Sequence, residues 1–395
     1  MAKRNHDELF MTQALEVARQ GVGLASPNPV VGAVIVDERG RIVGRGTHKY
    51  ADKKHAEVLA IEEAGEKTRG NALYLTLEPC SITGRTGPCA DAIIAAGIHR
   101  VVAAMRDPNP LVCGNGFKKL HAAGLEVVEG VLEGEARKLN ESFAKYIRTR
   151  LPFVTLKTAM TLDGKIGTAP PGITALGSAQ ASTTYITGDQ SLKHVHELRH
   201  ASDAIMVGVG TVVADDPMLT DRSGRPRRRN LLRVILDSRL RLPLESRVVK
   251  TCQNDVVVFC SFSEEKKRAE LEKRGVRVEQ VPLAALEVVG GTLAAVPHDG
   301  RPDMVQIFRR LGEMEITSVL VEGGAMVNWA CLQSGIVDKV WMFYAPKIMG
   351  SSAAVPFLSS GFAKMSEALT VRNISLHRFG DDFAVEGYLR DVYEE

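Results

Sequence analysis

The residues that most constrain this chain are His55-Ala56-Glu57, then Pro79-Cys80, then Cys89. One imidazole and two thiolates make three ligands for a zinc ion. A catalytic zinc keeps its fourth tetrahedral position for water. To serve one ion, the start of a helix near His55, the end of a strand before Pro79 and the start of a helix at Cys89 must converge. Glu57, two residues beyond the histidine, reaches such a water without binding the metal. A water held this way ionises at about pH 7, and the positive end of a helix beginning at Cys89 favours thiolate over thiol.

A structural zinc site closes with four protein ligands, and no fourth candidate sits at suitable spacing; His48 is near in sequence but on another element. An open site beside a carboxylate is the pattern of zinc deaminases, in which the carboxylate shuttles protons. Those acting on nucleosides and nucleic acids carry the thiolates as C-x-x-C. Here residues 81–88 intervene, a loop long enough to wrap over a substrate. Arg85 on that loop offers a bidentate phosphate contact.

The metal motif occupies only the first third of the 395 residues, and that length favours two domains. A formal net charge of +3 gives no general reason to expect nucleic acid or a membrane as partner. The dense basic run Arg225–Arg229 reads as a solvated loop. Six cysteines in a chain this long are not a disulfide scaffold. The N-terminal residues lack the apolar stretch of a secretory signal, and no uncharged apolar run approaches the roughly 20 residues of a membrane span. The expectation is a cytoplasmic protein.

Periodicity and turn residues predict helices over 7–20, 55–64, 89–96, 117–123 and 133–147. Strands are expected over 30–36, 42–46, 72–77, 101–104 and 125–128. After a basic, Pro-containing boundary at 148–152 the alternation restarts. Strands are expected at 153–158, 203–208, 232–236, 255–260, 276–280, 317–321, 338–344, 370–376 and 383–390. Helices are expected at 190–200, 263–274, 302–312 and 324–334. The stretch 170–184, rich in Gly, Ala, Ser and Thr, reads as a mobile loop. Both halves are α/β.

Several motifs, in order, resemble one family across nearly the whole chain. SPNPVVGAVIV (26–36), HAEVLAIEEAG (55–65), TLEPC with GRTGPC (76–89) and DPNP (107–110) resemble the deaminase half of the bifunctional riboflavin-biosynthesis deaminase/reductase. KTAMTLDGKI (157–166), YITG (185–188), VGVGTVVADDPMLTDR (207–222), LDSRLRLP (236–243), VEGGAMV (321–327) and APKIMG (345–350) resemble its reductase half. The resemblance implies a cytidine-deaminase-like domain over 1–148 and a dihydrofolate-reductase-like domain over 152–395. The first would remove the 2-amino group of 2,5-diamino-6-(5-phosphoribosylamino)pyrimidin-4-one. The second would use NADPH to reduce the ribosyl group, giving 5-amino-6-(5-phosphoribitylamino)uracil.

By the same resemblance His55, Cys80 and Cys89 bind Zn2+ and Glu57 is the proton shuttle. Asn28, His48 and Arg85 would hold the pyrimidine and its ribose phosphate. Ala159, Tyr185, Thr211, Asp215, Ser238 and the turn from Gly324 would line the NADPH site. Lys157, Thr183, Arg199, Leu219, Arg222 and Glu322 would meet the sugar-phosphate substrate. A strand running into Gly323-Gly324 and then a helix suits that assignment, because backbone N–H groups at a helix start cradle phosphate. Ile82 or Thr83 stands where the family commonly has a histidine, and Tyr185 where it usually has tryptophan. Family members are usually homo-oligomers joined through the reductase domain. Two other functions compete: a single-activity base or nucleoside deaminase with a silent second domain, and a zinc-stabilised binding module. With 5% aromatic residues and no basic-aromatic stripe, a surface for stacking single strands is not evident.

Overall fold

Small residues on the first two strands, Gly32–Val36 and Ile42–Thr47, set the depth at which helices lie on the first sheet. The computed structural model describes residues 2–82, 87–167, 185–283, 288–289, 292–293, 302–350 and 354–394. Contacts divide the chain into two units. Unit 1 comprises Met1–Arg150 with Pro226–Arg229, and unit 2 comprises Leu151–Arg225 with Asn230–Glu395.

Unit 1 runs α1 (Ala2–Arg19), β1 (Gly32–Val36), β2 (Ile42–Thr47), α2 (Ala56–Ala64), β3 (Ala72–Leu75), α3 (Cys89–Ala95), β4 (Arg100–Ala103), α4 (Asn115–Ala122), β5 (Glu126–Glu129) and α5 (Glu133–Thr149). Its sheet has the order β2-β1-β3-β4-β5. The pairs on either side of β1 are antiparallel, and β3, β4 and β5 are parallel. Phe10, Met11, Ala14, Leu15 and Ala18 of α1 are buried. A Cβ on Gly32 would lie 2.2 Å from the Ala14 carbonyl oxygen. Helix α2 seats the same way. A Cβ on Gly44 would stand 2.2 Å from Ala60 O, and one on Gly46 2.0 Å from Ala56 O. Glycine on the strand and alanine on the helix therefore let α2 sink onto β2, carrying His55 and Glu57 with it.

Unit 2 runs β6 (Phe153–Thr161), β7 (Lys165–Gly167), α6 (Asp189–Ala201), β8 (Ala204–Gly208), α7 (Val209–Asp215), β9 (Leu232–Leu236), α8 (Arg247–Lys250), β10 (Val256–Cys260), α9 (Glu265–Lys273) and β11 (Arg277–Gln280). It continues with β12 (Val288–Val289), β13 (Thr292–Leu293), α10 (Met304–Glu313), β14 (Ser318–Val321), α11 (Ala325–Gln333), β15 (Lys339–Ala345), β16 (Val355–Pro356), β17 (Arg372–Phe379) and β18 (Asp382–Tyr388). Nine strands form one sheet in the order β11-β10-β9-β8-β14-β6-β15-β18-β17. From β11 to β15 the pairing is parallel, while β18 and β17 add antiparallel. Two apolar clusters cover the parallel part. One joins Phe308 and Leu311 of α10 to Val319 and Phe259; the other joins Val248, Leu271 and Val212 to Ile205 and Val258. This burial on both faces is why the central strands read as unbroken Val/Ile runs.

Most expected elements appear within a few residues. Strand β3 stops short of Leu77, because Thr76 turns its hydroxyl to the Gly32 N–H (3.0 Å). No helix was expected at α7; its valines have low helix propensity, and packing of Val209 and Val212 overrides it. The basic run is not wholly solvated. Its Pro226–Arg229 part belongs to unit 1, where the Arg228 guanidinium lies 3.6 Å over the Tyr50 ring and donates to Ser26 O. The expected loop 170–184 lies outside the described residues. Among the described residues no helix is long and apolar enough to cross a membrane.

Candidate active sites

His55 is the N-cap of α2, in extended conformation, so its ring projects from the helix start while Glu57 occupies the first turn. Cys89 is the first residue of α3, and its backbone N–H donates to Cys80 Sγ at 3.3 Å. His55 Nδ1 stands 3.0 Å from Cys89 Sγ and 3.6 Å from Cys80 Sγ. The three donor atoms all lie within 4.8 Å of one another. Tetrahedral zinc, with bonds of about 2.0–2.3 Å, needs donors roughly 3.5–3.8 Å apart. The set fits zinc.

Glu57 is 4% exposed. Burial pushes its carboxyl up to about 7, partly opposed by His55. The Cys80 thiol is drawn down to about 4 by hydrogen bonds from Cys89 and His55, and the Cys89 thiol is pushed up by the same sharing and by burial. His48 packs edge-on against His55, ring centres 5.4 Å apart. Its Nδ1 lies 2.8 Å from the Lys54 carbonyl and must donate there, so Nε2 accepts from Asn28 Nδ2 at 3.0 Å. Burial lowers the His48 pKa, which favours the neutral ring that this arrangement requires. Asn28, His48, His55, Glu57, Cys80 and Cys89 thus form one constellation. Arg85 lies outside the described residues.

Three residues nearby were not singled out from the sequence. Glu78, 2% exposed, accepts backbone N–H groups from Asp107 (3.1 Å), Gly114 (2.9 Å) and Gly116 (2.9 Å). Asp107 is buried and its carboxyl is pushed up to about 7, chiefly by burial. Asn140 on α5 brackets Val30, accepting from its N–H at 2.8 Å and donating to its carbonyl at 3.0 Å. The signals were present: Glu78 precedes Pro79-Cys80 directly, and Asp107 opens DPNP.

In unit 2, Glu322 follows β14 and is buried between two cations. Arg199 Nε and Nη2 donate to its two oxygens at 2.6 and 3.0 Å, and Lys157 Nζ stands 3.5 Å away. Burial alone would raise the Glu322 pKa, but Arg199 and Lys157 overcome it and hold the carboxyl at about 2. Arg199 also donates to Thr220 O (3.0 Å), which fixes the loop carrying Leu219 and Arg222. Lys157, Arg199 and Glu322 therefore form one cluster.

Gly324 caps α11 and Gly208 caps α7, helices that leave the neighbouring strands β14 and β8. A Cβ on Gly324 would meet only Thr211 Oγ1, at 3.9 Å, so backbone there is open to a ligand beside Thr211. Ala159 lies near the end of β6, Ser238 just past β9, and Asp215 at the last residue of α7. Ala159 and Ser238 lie at the C-terminal edge of the parallel strands, where open α/β sheets bind ligands, and Asp215 lies at the far end of the helix that leaves β8. The exposed Tyr185 precedes α6, and Lys347 Nζ donates to the adjoining Ile186 O at 2.7 Å. The donor set and the open glycine backbone fit a dinucleotide. Thr183 lies outside the described residues.

Residues 152–385 match the model of the RibD C-terminal domain, and residues 4–105 match the cytidine and deoxycytidylate deaminase zinc-binding region. The riboflavin biosynthesis protein RibD of Aquifex aeolicus is 42% identical, with 97% of this chain and 98% of that protein covered. The Escherichia coli RibD is 37% identical over 95% of this chain and 97% of its own length. Among solved structures, Acinetobacter baumannii RibD superposes with a TM-score of 0.80 at 34% identity, covering 98% of this chain and 99% of that one. The diaminohydroxyphosphoribosylaminopyrimidine deaminase/5-amino-6-(5-phosphoribosylamino)uracil reductase of Thermotoga maritima gives 0.78 at 36% identity, covering 98% and 99%. With both halves matched and full-length relatives well above 30% identity, the chain belongs to the RibD family of riboflavin biosynthesis proteins.

Proposed function

We propose that unit 1 deaminates 2,5-diamino-6-(5-phosphoribosylamino)pyrimidin-4-one at its 2-amino group and that unit 2 then reduces the ribosyl group to ribityl with NADPH. The observation that carries this reading is the convergence of His55 Nδ1, Cys80 Sγ and Cys89 Sγ within 4.8 Å, with Glu57 buried in the same helix start. When bound there, zinc lowers the pKa of water to about 7 and so supplies the nucleophile.

The protein residues do the rest. Glu57, raised to about 7, is matched to take a proton and return it near neutral pH. It takes the proton of the attacking water and delivers it to the departing amino group, which leaves as ammonia. Asn28, its amide fixed by neutral His48, orients the pyrimidine. Arg85 holds the ribose phosphate.

In unit 2, Ala159, Tyr185, Thr211, Asp215, Ser238 and the turn from Gly324 hold NADPH. When bound, its reduced nicotinamide supplies a hydride. Lys157, Thr183, Arg199, Leu219, Arg222 and Glu322 bind the sugar phosphate. Glu322, held at about 2, stays ionised and serves to fix Lys157 and Arg199 and not to donate a proton. The protein works in the cytoplasm as a homo-oligomer joined through unit 2. The exposed Ile374 and Leu376 on the edge strand β17 support that association.

The test is an assay of the purified chain with the diaminopyrimidine ribotide, with and without NADPH. Ammonia release independent of NADPH, followed by NADPH oxidation when it is added, is expected. Ammonia release with no NADPH oxidation would remove the second half of the reading.

A further inference from the structure

Helix α6 brings a second side chain to the Glu322 cluster. His196 lies three residues before Arg199, a spacing that puts both on one helix face. It is electrostatically coupled to Arg199 on its own helix, to Asp221 and Arg222 on the following loop, and to Glu322 after β14. Its Nδ1 is buried and has no hydrogen-bond partner among the described residues. Its neighbours on the helix are differently placed. His200 Nδ1 bonds Asp221 at 2.9 Å. His194 bonds Glu197 through Nδ1, and although its Nε2 is also buried without a partner among the described residues, its ring packs on Trp341, Phe343 and Phe379, in the apolar layer of the sheet.

A buried polar nitrogen without a partner is uncommon and calls for a ligand or a strain to explain it. The surroundings say what ligand. Arg199 and Arg222 supply the charge an anion needs, and burial together with those two cations lowers the His196 pKa. A neutral imidazole beside them suits a hydroxyl, which can both donate and accept.

We infer that His196 is a substrate-contacting residue of unit 2, its Nδ1 hydrogen-bonded to a hydroxyl of the ribosyl group of the pyrimidine ribotide. This rests on the reading that Lys157, Arg199 and Glu322 meet the sugar phosphate. His196 determines binding of the sugar and takes no part in the hydride step.

The experiment uses the full chain, with the deaminated ribotide as substrate and NADPH oxidation as readout. His196→Ala raises KM for the ribotide about tenfold, the size of one lost hydrogen bond. The KM for NADPH stays within twofold, and kcat changes little, as expected of a contact made equally in ground and transition states. His196→Asn, whose amide can place a polar atom near the site of Nδ1, recovers most of the loss. Ammonia release from the diaminopyrimidine ribotide and the thermal midpoint report that each variant is folded. An unchanged KM for the ribotide in folded His196→Ala overturns the inference, as does a loss confined to kcat. Glu322→Gln separates the two levels. If it impairs turnover while His196→Ala does not, only the role of His196 fails. If neither variant affects reduction, the assignment of this cluster as the substrate site fails as well.

Discussion

Glu78 is the residue whose removal has the most calculable consequence. Glu78 lies two residues before Cys80, and its carboxylate takes three backbone N–H groups, from Asp107, Gly114 and Gly116. Gly114 is the N-cap position of α4, and that cap has no side-chain bond of its own. Glu78 therefore caps α4 from another segment, satisfying donors that a helix start leaves unpaired. The fit is tight, since a Cβ on Gly116 would lie 2.0 Å from Pro79 O. The Glu78 bonds thus fix α4 and the Asp107 loop against the backbone that presents Cys80.

A hydrogen bond to a charged group contributes about 1.5–3 kcal/mol. Glu78→Ala removes all three and leaves three buried N–H groups unpaired, and water entering the gap offsets part of the loss, so unit 1 should lose roughly 3–5 kcal/mol. For a unit of this size that is a fall on the order of 10 °C in thermal midpoint. Glu78→Gln keeps one acceptor oxygen, so it retains the two bonds now made by Oε2 and should lose about half as much. The assay is hydrogen exchange resolved to residues 105–118, run beside thermal unfolding and chelator competition for zinc. Protection of the Asp107, Gly114 and Gly116 amides should fall first, and further in Glu78→Ala than in Glu78→Gln. If those amides keep their protection in Glu78→Ala while zinc affinity is also unchanged, the claim that this carboxylate holds the loop is refuted.

Other perturbations separate the parts of the molecule. Glu57→Gln should keep zinc, measured by elemental analysis, and slow ammonia release by about 10²–10⁴-fold, the usual contribution of a general acid–base group. A chelator should abolish ammonia release and leave NADPH oxidation on the deaminated ribotide intact, which a direct rate comparison checks. Gly46→Ala places a methyl 2.0 Å from the Ala56 carbonyl oxygen, so α2 must lift from β2. Zinc affinity should fall although no ligand is changed. Glu322 is held at about 2, below its ordinary 4.5. Its ionised pairing therefore contributes stability fully present above about pH 4.5 and lost as pH falls toward 2. The stability gap between the parent chain and Glu322→Gln, read by urea unfolding between pH 7 and 3, should narrow on acidification; a gap that widens would contradict the pairing.

What the sequence revealed follows from which atoms do the chemistry. The proposed roles of His55, Glu57, Cys80 and Cys89 need side-chain atoms that few other residue types supply, so their spacing alone points to a metal site. The alternation of the strands was equally plain, because burial on both faces selects unbroken Val and Ile runs such as Val256–Val258. Glu78 was passed over for a physical reason. Its partners are backbone N–H groups of Asp107, Gly114 and Gly116, and a backbone donor leaves no signature in residue identity. The same holds for α7, whose start is set by packing of Val209 and Val212 and not by propensity. Arg228 was misjudged because a basic run shows its charge and hides its neighbours. Its guanidinium lies over Tyr50, and its backbone N–H donates to Gly23 O at 2.8 Å.

The two sites solve opposite electrostatic problems with buried glutamates, and the neighbours decide the outcome. Glu57 is buried beside one histidine, which compensates little of the desolvation, so its proton is held near neutrality and can move. Glu322 is largely buried too but is gripped by Arg199 and Lys157, so its proton is gone and stays gone. A carboxylate that must shuttle protons has to be under-compensated; one that must hold cations for a phosphate-bearing ligand has to be over-compensated. Removing one cation from Glu322 should raise its pKa and return a proton to a carboxylate that has to stay ionised. Glutamate identity was legible in both cases, whereas the number of cations facing each depended on helices α2 and α6 being set against their sheets.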